Sequence, residues 1–156
     1  IVGESVEVIS QTKHRYRVSS KEKVEGYIQA NLVSKDKPIL TLEDYIGRAE
    51  FYLGATEYQK VMEELEQAKR LKPDSSEPYM VAARGFLAQG RKEDAMKEFK
   101  EAVKRGIDGY HPIVVNINIG YTTLKATPKD IESVTNEIVR LKDGNQFKGE
   151  ISLEAK

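Results

Sequence analysis

Two histidines and two pairs of adjacent carboxylates are the residues of this chain best suited to chemistry. An imidazole can move a proton near neutral pH or ligate a metal. Paired carboxylates can divide acid and base roles between them. His14 falls on a strand-like run and His111 at a loop–helix junction, and neither has a partner at the spacing of a ligand set or a triad. Glu63-Glu64 and Glu93-Asp94 fall on the solvent faces of helical patterns, where carboxylates are routine. Phosphate-cradling glycine loops and dinucleotide fingerprints do not occur. With no cysteine there is neither a disulfide nor a thiolate zinc site. The chain reads as a non-enzyme with no cofactor and no metal.

Composition narrows the partners. The chain has 156 residues, enough for one ordinary domain or two small ones. Its 25 basic and 25 acidic residues balance, which argues against a general nucleic-acid or anionic-membrane binder. No apolar run approaches the roughly 20 residues that span a bilayer. The chain opens on Ile1 with no methionine, which reads as a fragment or a processed product.

The elements that would position any site follow from periodicity. Val6 and Val8 alternate around Glu7, Tyr16 and Val18 share a face with His14, and Tyr27-Ile28 follow Gly26; these are three short strands in a meander. Ser34 to Pro38 is a charged connector. Thr41-Leu42-Glu43-Asp44 opens a helix as a capping box, and Thr56-Glu57-Tyr58-Gln59 opens a second. Tyr45, Ile46, Ala49, Tyr52 and Leu53 form one apolar face; Val61, Met62, Leu65, Ala68 and Leu71 form the next. Ser75 or Ser76 caps a third helix carrying Tyr79, Ala82, Ala83, Phe86 and Leu87. Gly90 turns the chain into a fourth, which Gly106 ends.

Five of these residues recur 34 positions later: Tyr45 as Tyr79, Ala49 as Ala83, Tyr52 as Phe86, Leu65 as Phe99 and Ala68 as Ala102. That is the period of a stacked helix–turn–helix repeat. The stretch from Leu42 to Gly106 resembles the tetratricopeptide repeat family on these residues. A third repeat is expected from about His111 to Leu141. There Asn118-Ile119-Gly120 resembles the family's Asn-Leu-Gly step, and Thr127-Pro128-Lys129-Asp130 reads as a helix start. Ile131, Val134, Ile138 and Leu141 then form an apolar face, with Gly144 ending the helix. The β-branched run Ile113-Val114-Val115 suits a strand as well; the repeat context favours a helix. The tail from Gln146 is polar, with Ile151 and Leu153 alternating as a short strand would.

The first third resembles part of a bacterial SH3 domain. The residues are Gly3-Glu4-Ser5-Val6-Glu7-Val8-Ile9, Tyr16-Arg17-Val18, Glu25-Gly26-Tyr27-Ile28 and Asn31-Leu32-Val33. Tyr16 and Tyr27 stand where that family often has Trp, and its N-terminal Asn-Val-Arg and Gly-Pro signature is not present. The resemblance implies that Tyr16 and Tyr27 offer aromatic faces to a peptide or a cell-wall glycopeptide; the alternative is ordinary strand packing.

The repeat resemblance implies a concave groove lined by the first helix of each hairpin. Its residues would be Glu43, Ile46, Glu50 and Leu53, then Glu77, Met80, Arg84 and Leu87, then Val114, Ile117, Tyr121 and Leu124. Ile46, Met80 and Ile117 would form an apolar row flanked by Glu50, Arg84 and Tyr121. Such a row either receives a peptide or packs against the chain's own β segment or tail. Met80 and Arg84 are expected to serve binding and not folding. Glu50 would repel a carboxylate, so capture of a chaperone's acidic C-terminus does not fit.

The resulting expectation is an α+β, mainly α, chain. Residues 1–36 form a partial SH3-like β meander, residues 41–145 a tetratricopeptide-like right-handed α–α superhelix of about three hairpins, and residues 146–156 a polar tail. The expected function is a non-catalytic scaffold for a protein or peptide through the concave face, with no nucleic acid and no membrane span. The alternative is a cell-wall or envelope targeting module, which would favour an extracytoplasmic location. Self-association is a further partner class.

Overall fold

The computed structural model describes residues 6–11, 15–20, 23, 25–29, 39–135 and 137–156. The sequence readings at Gly3-Glu4-Ser5, His14, Asn31-Leu32-Val33 and the Ser34 to Pro38 connector lie outside the described residues. The chain divides into two units, Ile1–Thr41 and Leu42–Lys156. Among the described residues there are four helices and nine strands in small antiparallel sheets, an α+β architecture.

In the first unit the expected meander forms. Strands β1 (Glu7–Gln11), β2 (Arg15–Ser19) and β3 (Glu25–Gln29) pair antiparallel in that order. Val8 faces Val18, and Tyr16 faces Ile28. The register shifts between Val8 and Ser10, a bulge that bends the edge strand. Arg17 donates to Glu25 at 2.6 Å, and that bond raises the guanidinium's already high pKa. Val18 is buried, whereas Tyr27 is 71% exposed.

The second unit begins with two helix hairpins. They are α1 (Leu42–Gly54) with α2 (Tyr58–Leu71), and α3 (Glu77–Ala88) with α4 (Lys92–Arg105). Small residues set the contacts: Ala49, Ala68, Ala82, Ala83, Ala95 and Ala102 are all fully buried. Only such side chains let helix axes approach to about 8–10 Å. Helix α3 buries Pro78, Met80, Val81, Ala82, Ala83 and Gly85, so it is covered on most sides, as a central helix should be. Capping differs from expectation at α2. Glu57 occupies the cap position with no side-chain cap bond, and Thr56 sits at φ +59°, a left-handed turn conformation in which it opens no capping box. At α3 it is Ser75 whose hydroxyl accepts from the Glu77 amide, at 3.4 Å. Gly106 ends α4 at φ +78°, as the helix stop required.

The third helical hairpin does not form. Residues 113–155 instead make six strands: β4 (Ile113–Ile119), β5 (Thr122–Ala126), β6 (Ile131–Thr135), β7 (Ile138–Leu141), β8 (Gln146–Lys148) and β9 (Glu150–Ala155). They build two sheets, ordered β5-β4-β9 and β6-β7-β8. In β4 the alternation is strict: Ile113, Val115 and Ile117 are buried, while Val114, Asn116 and Asn118 are not. β-branched residues at period two suit a pleated surface better than a helix. Asn118-Ile119-Gly120 is not a helical step but a strand end running into a two-residue hairpin turn. Ile119 pairs with Thr122, and Gly120 takes φ +58° as the first turn residue.

The second expected helix of that hairpin is also strand. Thr127 to Asp130 makes one 3-10 turn (Pro128–Asp130) and the chain then extends into β6. The spacing of Ile131, Val134, Ile138 and Leu141 imitates a helical face, but it arises from a bulged hairpin in which Ile131 faces Leu141 and Val134 faces Val139. Ile131 and Val139 are fully buried, whereas Ile138 is exposed. Gly144, at φ +92°, belongs to the Asp143-Gly144-Asn145 turn between β7 and β8, where the Asp143 carboxylate accepts from the Asn145 amide at 2.9 Å. The polar tail is strand, as the alternation of Ile151 and Leu153 allowed: β9 pairs along β4 from Ile113↔Ala155 to Asn118↔Glu150.

The β module and the second hairpin share one core. Met80 and Ala83 of α3, and Ala95, Phe99, Ala102 and Val103 of α4, cluster with Ile113, Val115 and Ile117 of β4 and with Ile131, Val139 and Leu153. A second cluster joins the two hairpins through Ala49, Tyr52, Val61, Leu65, Val81 and Ala82.

Candidate binding cleft

The expected groove row is mostly occupied by the chain itself. Met80 is 0% exposed and lies in the core shared with the β module, and Ile117 is equally buried on β4. Neither is open to a partner, which corrects the expectation that Met80 serves binding alone. Strands β4, β6, β7 and β9 supply residues that share its core. Ile46 and Leu53 are half-buried against the inter-hairpin cluster, and Leu87 against the shared core. Tyr121 is fully exposed on the β4–β5 turn, away from any helical row. In the first unit Tyr27 is exposed and Tyr16 is half-buried.

Glu50 and Arg84 do come together, but with each other. Arg84 Nη1 and Nη2 each donate to a Glu50 carboxylate oxygen at 2.7 Å. The fork geometry matches the carboxylate plane. The bond joins two positions one repeat apart, so it clamps α1 to α3. Arg48–Glu64 at 2.7 Å and Lys69–Glu98 at 3.0 Å tie further helix pairs. Lys69 and Arg105 also lie over the Tyr79 ring, 4.6 and 4.0 Å from its centre.

A concavity of the second unit lies elsewhere, at the end of the β5-β4-β9 sheet. It encloses about 620 Å³, inside the roughly 300–1,000 Å³ range of ligand sites. One wall is the loop Gly109-Tyr110-His111, another the turn Thr127 to Asp130. Val114 and Lys125 also line it, and Lys156 closes one side. On the sheet, Lys125 pairs with Asn116, so it projects from the same outer face as Asn116 and Val114.

Its walls are held by hydrogen bonds. His111 is buried, and its Nε2 lies 3.0 Å from the Asp108 carbonyl. A carbonyl only accepts, so this nitrogen carries the proton and donates to the loop. Glu77 Oε2, at the start of α3, lies 3.7 Å from the same nitrogen. The imidazole therefore braces the loop against α3. Lys156 N donates to Pro112 O at 3.0 Å, and Lys142 Nζ reaches Ile107 O at 3.2 Å. The Asp130 carboxylate accepts from the Thr127 hydroxyl within its own turn.

Three lysines line the cleft. Among the described residues, Lys125, Lys129 and Lys156 form no ion pair; Lys156 Nζ sits 5.6 Å from the centre of the Tyr110 ring. Tyr110 is itself 74% exposed. The arrangement can bind an anion with an apolar body. No group of three or more His, Cys, Asp or Glu among the described residues is placed to hold a metal ion. Among those residues no helix is long and apolar enough to cross a membrane. The sequence hid this cleft because Tyr110, Lys125 and Lys156 carry no motif and Lys129 falls in a stretch that reads as a helix start. Tyr110, Lys125, Lys129 and Lys156 meet only after the β hairpins close, and the turn signals Gly120 and Asp143-Gly144 were the hints that hairpins would form.

Compared with family models, with curated proteins and with solved structures, the chain finds no match.

Proposed function

We propose that the chain is a non-catalytic scaffold that binds a protein or peptide. The observation that carries this reading is the Glu50–Arg84 clamp. It joins residues 34 apart in sequence and so stacks two hairpins in register. Stacked hairpins of this period, as in the tetratricopeptide family that the stretch resembles, act as rigid frames that present a surface. In this reading the β module stands in for a third hairpin and seals the stack over Met80. Arg84 and Glu50, being bonded to each other, serve the frame. Recognition falls to surfaces beside the filled row.

The test is selection of displayed random peptides on the intact chain, followed by calorimetric titration of the selected sequences. Saturable binding near 1 μM, about 8 kcal/mol, would support the scaffold. A folded chain that selects no peptide in repeated rounds would sink it.

A second reading, an envelope module acting through the SH3-like strands, is favoured by one observation. Tyr27 presents a largely exposed ring on β3, an edge strand of its sheet. Co-sedimentation with peptidoglycan that is lost in Tyr27→Ala would support it. Equal sedimentation of the two proteins would remove Tyr27 from consideration.

A further inference from the structure

We propose that the cleft between Tyr110, Lys125, Lys129 and Lys156 is the recognition site, and that its ligand is an acidic peptide segment lying extended along β5. The proposal rests on the scaffold reading and names its partner class. Charge is the first argument. The chain as a whole is neutral, and Arg48, Lys69, Arg84 and Arg105 are each committed to a carboxylate. Unpaired cations such as Arg70 and Lys92 lie singly on helices, whereas Lys125, Lys129 and Lys156 line one concavity with no ion pair among the described residues; Lys156 lies over the Tyr110 ring, and the one lining side-chain carboxylate, Asp130, is engaged by Thr127. Carboxylates arriving on a ligand complement what the fold leaves open.

Shape and backbone supply the rest. The cleft is floored by Val114 and walled by the exposed Tyr110 ring, a place for an apolar side chain between two charged ones. Among the described residues strand β5 is an edge of its sheet, so one row of its amide and carbonyl groups faces no partner strand there. An extended peptide can add there, with alternate side chains reaching Lys125 and the cleft. The same sheet face argues against a long polyanion. A polyanion or anionic bilayer laid across the sheet would meet Glu154, which accepts from Asn116 at 3.3 Å, and Glu150 on β9, whereas a short peptide along β5 lies at the opposite edge of the sheet.

The experiment measures fluorescence polarisation of three labelled ten-residue peptides on the intact chain. One is rich in Glu and Asp around a central Leu; the second is its Gln/Asn counterpart; the third is rich in Lys. The acidic peptide should bind about tenfold or more tighter than its neutral counterpart, and weaken with added salt. Lys125→Glu with Lys129→Glu should lose about tenfold or more while circular dichroism stays native. Should that pair disturb folding, Lys125→Gln with Lys129→Gln reads out the same loss of charge. Amides of residues 122–126 should gain hydrogen-exchange protection when the acidic peptide binds. Equal binding of the acidic and neutral peptides, an unaffected lysine variant, or protection confined to other strands would each overturn the proposal. So would stronger binding of single-stranded DNA or phosphatidylserine vesicles than of the acidic peptide. If selected peptides bind but are not acidic and ignore the lysines, this site assignment fails and the scaffold reading stands. If no peptide of any composition binds, both fail.

Discussion

Helices α1 to α4 are fastened to one another through side chains, whereas the strands of the β module are fastened through their backbones. A helix satisfies its own amides and carbonyls, so its register against a neighbour must come from outside the backbone. Here it comes from alanines that let the axes approach and from charged clamps such as Arg84–Glu50 and Lys69–Glu98. In the β module the ladders themselves set register, and side chains need only alternate between core and solvent. The two regions therefore concentrate their vulnerable points differently. The helical region spreads them over alanine contacts and clamps; the β module gathers one where its chain returns to the first sheet. Gly149 marks that second crossing, between β8 and β9. A Cβ built there would lie 2.2 Å from the Asn118 carbonyl oxygen.

The core that joins the two regions is where the comparison can be broken most forcefully. Met80→Ala should cost about 2–5 kcal/mol, because the residue is fully buried where helices and strands meet. Amide exchange should quicken in β4 as well as in α3. Exchange confined to α3 would mean that the two regions unfold separately.

Gly149→Ala should be next, at roughly 1–3 kcal/mol by overpacking. Its clash is with backbone, which cannot rotate away as a side chain can. The loss should appear in a denaturant midpoint, with β8 and β9 opening first. An unchanged midpoint would mean that the crossing has room that the geometry denies it.

A smaller effect is expected from the clamp. Glu50 and Arg84 are partly exposed, so a double-mutant cycle of Glu50→Gln and Arg84→Met should give a coupling of about 0.5–1 kcal/mol. A coupling of zero would leave the alanine contacts as the whole source of hairpin register.

The smallest effect is a pH dependence confined to α4. Lys104 and Arg105 hold the Glu101 carboxyl below its ordinary range, and Arg91 does the same for Asp94. A carboxylate with a lowered folded pKa contributes stability that is present above its unfolded pKa, about 4. That contribution disappears as pH falls through the folded value. Glu101→Gln should therefore narrow the stability difference between pH 6 and pH 3, with little change in slope above pH 6. A steeper acid loss in the variant would contradict the assignment.

The helical region was readable because its signals are local and repeated. The 34-residue correspondences, the alanines at contact positions, and Gly90 and Gly106 at the turns each act within a few residues of chain. The stretch after Gly106 was readable only in part. Its β-branched alternation from Ile113 to Ile119 and its Asp143-Gly144 turn were visible in the sequence. The spacing of Ile131, Val134, Ile138 and Leu141 nevertheless matched a helix, although it records a bulged hairpin. Short apolar runs fit both periods, and partners distant in the chain choose between them. Ile113 pairs with Ala155 across some forty residues, and no local propensity carries that information.

The sequence by itself determined the balanced charge, the three-stranded meander, the two hairpins and the small residues between them, because these rest on composition, period and local stops. The tertiary structure decided what covers Met80, that Arg84 answers Glu50, and that three lysines with no ion pair among the described residues line one cleft. Those outcomes depend on which surfaces close on one another, a property of residues brought together by folding and not of their order along the chain.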